Sequence, residues 1–301
     1  MEPLRLLGPL VLALVSATAV DQLTFTHGLM PPGFRQPWRR LAGSLVVAGV
    51  LYIGVFAALG MVGLERGPLP ASIPPLQLFE LHALLVVALL LWLLFGFAGE
   101  PLGGVSLPRV FARQLGLATA RPAKEAGVGF GLGLLVWPLL VLCMLVVMGL
   151  LAAFGAENLL PQQPAPLIVW IAGLPAGLKV ALALSAGVVE EIFFRGFLQP
   201  RVGIGVSTLL FVLAHLSYDQ PFLLVGVSIL SLVFAALVWW RQNVWPAIAA
   251  HFLFDAVQLL ILIPWLLHQW PSGSKTLGPL AGALFAARGS LPCESRGGHP
   301  R

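Results

Sequence analysis

The sequence predicts an all-α, polytopic transmembrane helix bundle with about eight spans. Of its 301 residues, 58% are hydrophobic and only 10% are charged, and the mean hydropathy is +0.94. A water-soluble domain needs a larger share of charged surface, and each crossing of the hydrocarbon takes roughly 20 apolar residues. One integral membrane domain therefore fits the composition better than several soluble domains.

Apolar runs recur along the chain from the amino terminus to residue 267. Most have the length that a membrane-spanning helix requires. The predicted spans cover residues 4–20, 41–63, 78–98, 127–154, 176–199, 204–218, 222–240 and 245–267. The apolar run from Leu167 to Leu198 is too long for one span, and Pro175 and Gly177 divide it. Its first part is therefore expected to be a separate interfacial piece.

Positive charge is concentrated in the loops that follow the odd-numbered spans. These loops contain Arg35, Arg39, Arg40, Arg109, Arg113, Arg121, Lys124, Arg201 and Arg241. The other loops contain Arg66, with Lys179 at the edge of span five. Because membrane proteins gather Lys and Arg in cytoplasmic loops, the odd loops are expected in the cytoplasm and both termini outside.

The same charge bias bears on the first helix and on partners. Cleavage after Ala17-Thr18-Ala19, which resembles a signal-peptidase site, would export the arginines that follow span one. We therefore expect the first helix to be retained. The net charge of +5 is explained by the cytoplasmic loops, so no nucleic-acid partner is expected. Cys143 and Cys293 form neither a disulfide framework nor a metal spacing.

Two adjacent carboxylates lie in the apolar run of span five. Ionisable groups are costly inside the hydrocarbon, so each one needs a partner or a function. Glu191 and Arg195 are four residues apart, on one helix face, and can pair. Glu190 points about 100° away from Glu191 and is left to face a cavity, where it can act as a general base.

Spans six and eight add His215, His251 and Asp255. With a rise of about 1.5 Å per residue, these groups and Glu190 lie roughly 9–16 Å from the cytoplasmic ends of their spans. The matched depths predict one site, although a structural polar network between helices is the alternative. Glu80 and His82 lie at the start of span three, where we expect them to be interfacial because groups at a helix end can reach water.

Three motifs in order give the chain a family resemblance. They are Glu190-Glu191-x-x-x-Arg195, Phe211-x-x-x-His215 and His251-x-x-x-Asp255. Their order and spacing resemble those of the CAAX-protease and bacteriocin-processing family of intramembrane proteases, also called the ABI family. The resemblance covers about residues 120 to 265, and no signature of it lies in the first three spans.

The resemblance implies a glutamate-type protease mechanism. Glu190, together with His215, would polarise a water molecule for attack on a peptide carbonyl. Glu191 and Arg195 would hold the helix face in place, and Phe211 would support the site.

The resemblance also implies that His251 and Asp255 stabilise the oxyanion, His251 by donating a hydrogen bond. The family has Asn or Asp at the last position, and an ionised Asp255 would repel an oxyanion. It would therefore have to be protonated, or it would orient His251 instead. The sequence leaves both roles open.

Other functions compete with that interpretation. The same side chains suit zinc, although no His-Glu-x-x-His helix is present, so we expect no cofactor and keep a zinc-dependent protease as an alternative. A non-catalytic membrane adaptor or immunity protein on the same fold is the second interpretation. A secondary transporter is the third, since intramembrane Glu and His also serve proton relays, but the first half of the chain lacks matching polar groups.

The expected setting follows from these features. The chain is predicted to be an integral multi-pass protein of the lipid bilayer, in a prokaryotic inner membrane. Its substrate would be a membrane protein or a lipidated peptide, such as a prenylated C-terminus, a secreted peptide precursor or a C-terminal anchor. We expect residues 1–104 to form N-terminal transmembrane helices of unclear role, 105–267 a catalytic core and 268–301 a tail.

Overall fold

A computed structural model describes residues 3–60, 74–156, 159–160, 164, 166–218 and 220–269. In those ranges all regular structure is helical. The main helices are α1 (Pro3–Thr26), α2 (Pro37–Leu51), α3 (Glu80–Phe97), α4 (Leu107–Gln114), α5 (Pro122–Ala153), α6 (Pro166–Ala172), α7 (Ala176–Glu190), α8 (Gln199–Ala214), α9 (Pro221–Arg241), α10 (Trp245–Val257) and α11 (Ile263–Gln269). π-Helical turns extend α2 over Tyr52–Phe56 and α10 over Gln258–Leu262, and one joins α7 to α8 over Glu191–Leu198. A last α-helical turn, Ala57–Gly60, continues α2. The prediction of an all-α bundle is confirmed.

Seven helices in the described ranges are long and apolar enough to cross a membrane, which makes the chain an integral multi-pass membrane protein. The fifth of them, Ala176–Ala214, contains predicted span five and most of predicted span six, 204–218. The chain reverses within it, because Gly203 has φ +79° and ψ 170°, a conformation that only glycine adopts readily. The hydroxyl of Ser207 donates to the Phe194 carbonyl at 2.6 Å, whereas 13 residues of straight helix would separate them by roughly 20 Å.

The loops after the odd-numbered spans lie at one end of the bundle. Side-chain contacts join them, among them Arg39 with Glu100 at 2.6 Å, Arg201 with Gln114 at 3.1 Å, and Arg241 with Glu125 at 2.7 Å. This arrangement requires the reversal at Gly203, because an unbroken fifth span would carry Arg241 to the opposite end. Successive predicted spans therefore run in alternating directions, as expected. Span six is the short part of α8 that follows Gly203. Which side of the membrane this end faces stays a prediction.

The interfacial piece that the sequence predicts before Pro175 is a separate short helix. α6 ends before Pro175, and α7 begins directly after it. α4 lies between α3 and α5 and ends at Gln114. Of the predicted tail, 268–301, all but the first two residues lie outside the described residues.

Two apolar clusters hold the bundle together. One joins α1, α2 and α3 to the π-helical turn Glu191–Leu198. In this cluster the rings of Trp92 and Phe197 meet edge to face, with centroids 4.9 Å apart. The other joins α5, α9 and α10 around Val136, Phe234 and Ala247. The N-terminal helices thus share a core with the segment that carries the two glutamates, so they bear on the geometry of the site.

Candidate active site

The two glutamates lie where α7 passes into the π-helical turn. Glu190 is the last residue of α7 and Glu191 is the first of the turn. Single π-helical turns inside α-helices are frequent at functional sites, since the extra residue per turn redirects side chains. The two carboxylates accordingly contact different neighbours.

Glu191 lies in the sealed part of the site. Its Oε1 is 3.1 Å from Nη1 of Arg195, and the two side chains are 0% and 1% exposed. Arg195 also donates through Nη2 to the Ser231 hydroxyl at 3.0 Å, and its guanidinium lies 4.1 Å from the centre of the Phe211 ring. The ion pair expected from the four-residue spacing is therefore present.

Glu191 also binds His251. The two residues lie on different helices, so residue spacing along one helix could not predict this contact. Nδ1 of His251 lies 2.8 Å from Oε1 of Glu191. α10 approaches α7 closely enough for this contact because Gly187 has no side chain. A Cβ there would lie 2.9 Å from the backbone nitrogen of Phe252, and small residues allow such approach between membrane helices.

His215 follows the end of α8, and the helix terminus orients its ring. Its backbone N–H bonds to the Val212 carbonyl, so the Phe211 carbonyl is one of the terminal acceptors that helices leave without an internal partner. Nδ1 of His215 lies 2.7 Å from that oxygen. A carbonyl only accepts, so Nδ1 carries the proton, and in the neutral ring Nε2 is an acceptor. The Phe-x-x-x-His spacing thus sets the tautomer.

Glu190 and His215 face each other. Oε2 of Glu190 and Nε2 of His215 are 3.9 Å apart, beyond a direct hydrogen bond. Among the residues that the structure describes, this buried oxygen has no hydrogen-bond partner. A buried carboxylate oxygen left in that state costs free energy unless water or a ligand satisfies it.

The interfacial position predicted for His82 is wrong. His82 is only 7% exposed, and its Nε2 lies 3.3 Å from Oε1 of Glu190. Its Nδ1 lies 2.8 Å from the Ser185 hydroxyl on α7. Hydropathy placed His82 at a helix start and therefore in reach of water, but the first turn of α3 packs against α7. Glu80, two residues earlier, is exposed, in keeping with its predicted place.

The members of the site differ in their access to solvent. Glu190, His215 and Asp255 retain 13%, 16% and 25% of their side-chain exposure, whereas Glu191 and Arg195 are sealed. Asp255 Oδ2 lies 3.5 Å from Nε2 of His251. A reacting group would therefore meet Glu190, His215 and Asp255.

Metal ligation was the alternative use of these side chains. Searched over the described ranges, the structure has no group of three or more His, Cys, Asp or Glu side chains arranged to hold a metal ion. The donor arrangement in these ranges gives the zinc alternative no support, and the absence of a cofactor stays a prediction.

Comparisons with known proteins cover part of the chain. The uncharacterized protein YpbD of Bacillus subtilis (strain 168) is 33% identical over 79 residues, which are 26% of this chain and 42% of that relative. The match thus spans less than half of the relative's length. No solved structure matches the chain. Residues 167–257, which include all three motifs, match the family described as type II CAAX prenyl endopeptidase Rce1-like, and the resemblance predicted from those motifs is thereby confirmed over this segment.

Proposed function

We propose that the protein is an intramembrane endopeptidase that hydrolyses a peptide bond of a membrane-anchored or lipidated protein. The observation that carries the proposal is Oε2 of Glu190, which has no partner in the described part of the chain and faces Nε2 of His215 across 3.9 Å. A water molecule can hydrogen-bond to two groups at that separation. The match to a CAAX prenyl endopeptidase family supports the same reaction class.

In the proposed reaction, Glu190 and His215 activate that water. As its oxygen bonds to the substrate carbonyl carbon, its proton passes to Glu190. The C–N bond then breaks, and Glu190 returns the proton to the leaving amine. His215, whose Nδ1 donates to the Phe211 carbonyl, accepts the second hydrogen bond of the water through Nε2 and so orients it.

The negative oxygen that forms on the substrate needs donors that are already in place. Nδ1 of His251 donates to Glu191, and Nε2 faces Asp255 and the open side of the site. In our proposal His251 is the imidazolium, in which Nε2 also carries a proton and can donate to the oxyanion. We assign His251 and Asp255 to this oxyanion, with Asp255 acting as a protonated donor. Glu191 already orients His251 at 2.8 Å, so that task does not need Asp255.

Substitution of Asp255 tests this assignment. We expect Asp255→Asn to retain activity within about threefold, because an amide N–H replaces the carboxyl donor. Asp255→Ala should lose at least tenfold, about 1.4 kcal/mol, because no donor remains. The measurement is the cleavage rate of purified variants. A tenfold loss in Asp255→Asn would instead make Asp255 an anionic partner of His251.

A proteomic comparison of protein termini tests the function itself. Membranes of cells that express the wild-type protein should contain new termini near the ends of transmembrane or lipidated segments. Those termini should be absent from cells that express Glu190→Gln at equal abundance. Glu80→Gln is the matched control, since Glu80 is an exposed glutamate, and it should give the wild-type pattern. Identical termini in all three would favour the adaptor hypothesis.

A further inference from the structure

One histidine in the site comes from outside the segment that matches the family. His82 lies in the first turn of α3, more than 80 residues before that segment begins. Its side chain is buried, and it contacts Ser185 and Glu190, which both lie on α7. A buried imidazole in a membrane bundle is expensive unless both of its nitrogens are used, and here both are.

The two contacts determine how the ring is protonated. An ionised Glu190 carboxylate can only accept, so Nε2 of His82 donates to Oε1 of Glu190. Nδ1 is then the acceptor, and the Ser185 hydroxyl donates to it at 2.8 Å. Ser185, His82 and Glu190 thus form a directed chain of hydrogen bonds that ends on the carboxylate.

This chain acts on the orientation of Glu190. A glutamate side chain has several rotatable bonds, and a carboxylate without a fixed donor turns freely about the last of them. The donor on Oε1 holds the carboxylate so that Oε2 faces Nε2 of His215, 3.9 Å away. Effective acid–base catalysis requires that kind of alignment before the substrate arrives.

We propose that His82 is a positioning residue that orients Glu190 for catalysis, with Ser185 setting its tautomer, and that the N-terminal helices thereby complete the active site. This inference rests on the proposed function. It gives residues 1–104 a role in the reaction, because α3 supplies a side chain that the segment 167–257 does not contain. A truncated protein without the first three helices would lack this donor.

Kinetics of three variants test the proposal, with a quenched fluorescent peptide that ends in a farnesylated CAAX sequence as the probe. His82→Leu removes the donor and should lower kcat by about 10- to 100-fold while KM changes by less than about twofold. His82→Gln retains an N–H near the position of Nε2 and should recover kcat to within about threefold of wild type. Ser185→Ala should fall between the two. Equal losses in His82→Leu and His82→Gln would overturn the donor role.

His27→Leu is the matched control, because His27 is exposed at the end of α1; its rate should be that of the wild type. Thermal unfolding of each variant separates loss of rate from loss of fold. If His82→Leu is folded and fully active while Glu190→Gln is inactive, the proposed function stands and only the role of His82 fails. If Glu190→Gln is itself active, the proposed function fails.

A measurement without substrate tests the same contact. In NMR of the protein labelled with ¹⁵N-histidine in lipid nanodiscs, the ring of His82 should give the signals of one protonated nitrogen and one hydrogen-bonded acceptor nitrogen. The signal is assigned by its loss in His82→Gln. It should shift in Glu190→Gln, which replaces the carboxylate acceptor, and in Ser185→Ala, which removes the hydroxyl. An unchanged signal in Glu190→Gln would overturn the proposal even if the probe peptide is not a substrate.

Discussion

Glu190→Gln, His215→Ala and His251→Ala should each abolish peptide cleavage and leave the protein folded. Glutamine has the shape of glutamate and can still accept a hydrogen bond from His82, so the variant removes the base and little else. Loss of a general base lowers the rate by roughly 10²–10⁴-fold. His215→Ala removes the group that faces Glu190 at 3.9 Å, and His251→Ala removes a proposed oxyanion donor.

The measurement is hydrolysis of the farnesylated probe by purified protein in lipid nanodiscs. Size-exclusion behaviour and thermal unfolding establish that each variant is folded. Glu80→Gln makes the same chemical change at an exposed position of α3 and should leave the rate unaltered. Full activity in Glu190→Gln would end the protease interpretation.

Chelation separates the two kinds of protease, because a zinc enzyme would lose activity in the same three variants. A water molecule activated by Glu190 and His215 alone should survive EDTA or phenanthroline, and elemental analysis should find no bound zinc. A zinc site would instead contain stoichiometric metal and would recover activity when zinc is added back. That second result would contradict the mechanism proposed above.

The helix bundle, and the site contacts that lie within one helix, could be predicted from local sequence patterns. Hydropathy located the spans because each crossing must bury its own backbone hydrogen bonds in an apolar helix. The four-residue spacing of Glu191 and Arg195 placed them on one face, and they pair at 3.1 Å. The reversal near Gly203 could be predicted because Arg201 and the glycines beside it interrupt the apolar run.

The contacts between helices could not be predicted in the same way. Glu191 binds His251 across 60 residues, and Glu190 binds His82 across 108. Such pairs depend on which helices are neighbours and on how closely their backbones approach, as at Gly187. The prediction for His82 assumed that the start of span three lies at the membrane surface, so it placed this side chain within reach of water. The one signal that could have found His82 is its cost as an ionisable group in an apolar segment.

Arg195→Ala should lower the abundance of the protein as well as its activity. Arg195 is 1% exposed and is the guanidinium partner of Glu191, which is fully sealed. Removing one member of a buried pair leaves an uncompensated charge and typically costs roughly 3–5 kcal/mol. The substitution also removes the donor to Ser231 and the cation that lies over the Phe211 ring. We expect a marked fall in membrane abundance and in unfolding temperature.

A double substitution distinguishes the buried charge from a loss of packing. Arg195→Met with Glu191→Gln removes both charges and keeps most of the side-chain volume, and replacing both members of a buried pair is often neutral or stabilising. The double variant should therefore recover abundance relative to Arg195→Ala but remain inactive, because His251 loses its carboxylate partner at 2.8 Å. Arg113→Ala, at an exposed arginine, should have no effect on abundance. Normal abundance of Arg195→Ala would mean that Glu191 does not depend on this pair, and Arg195 would then lose its structural role.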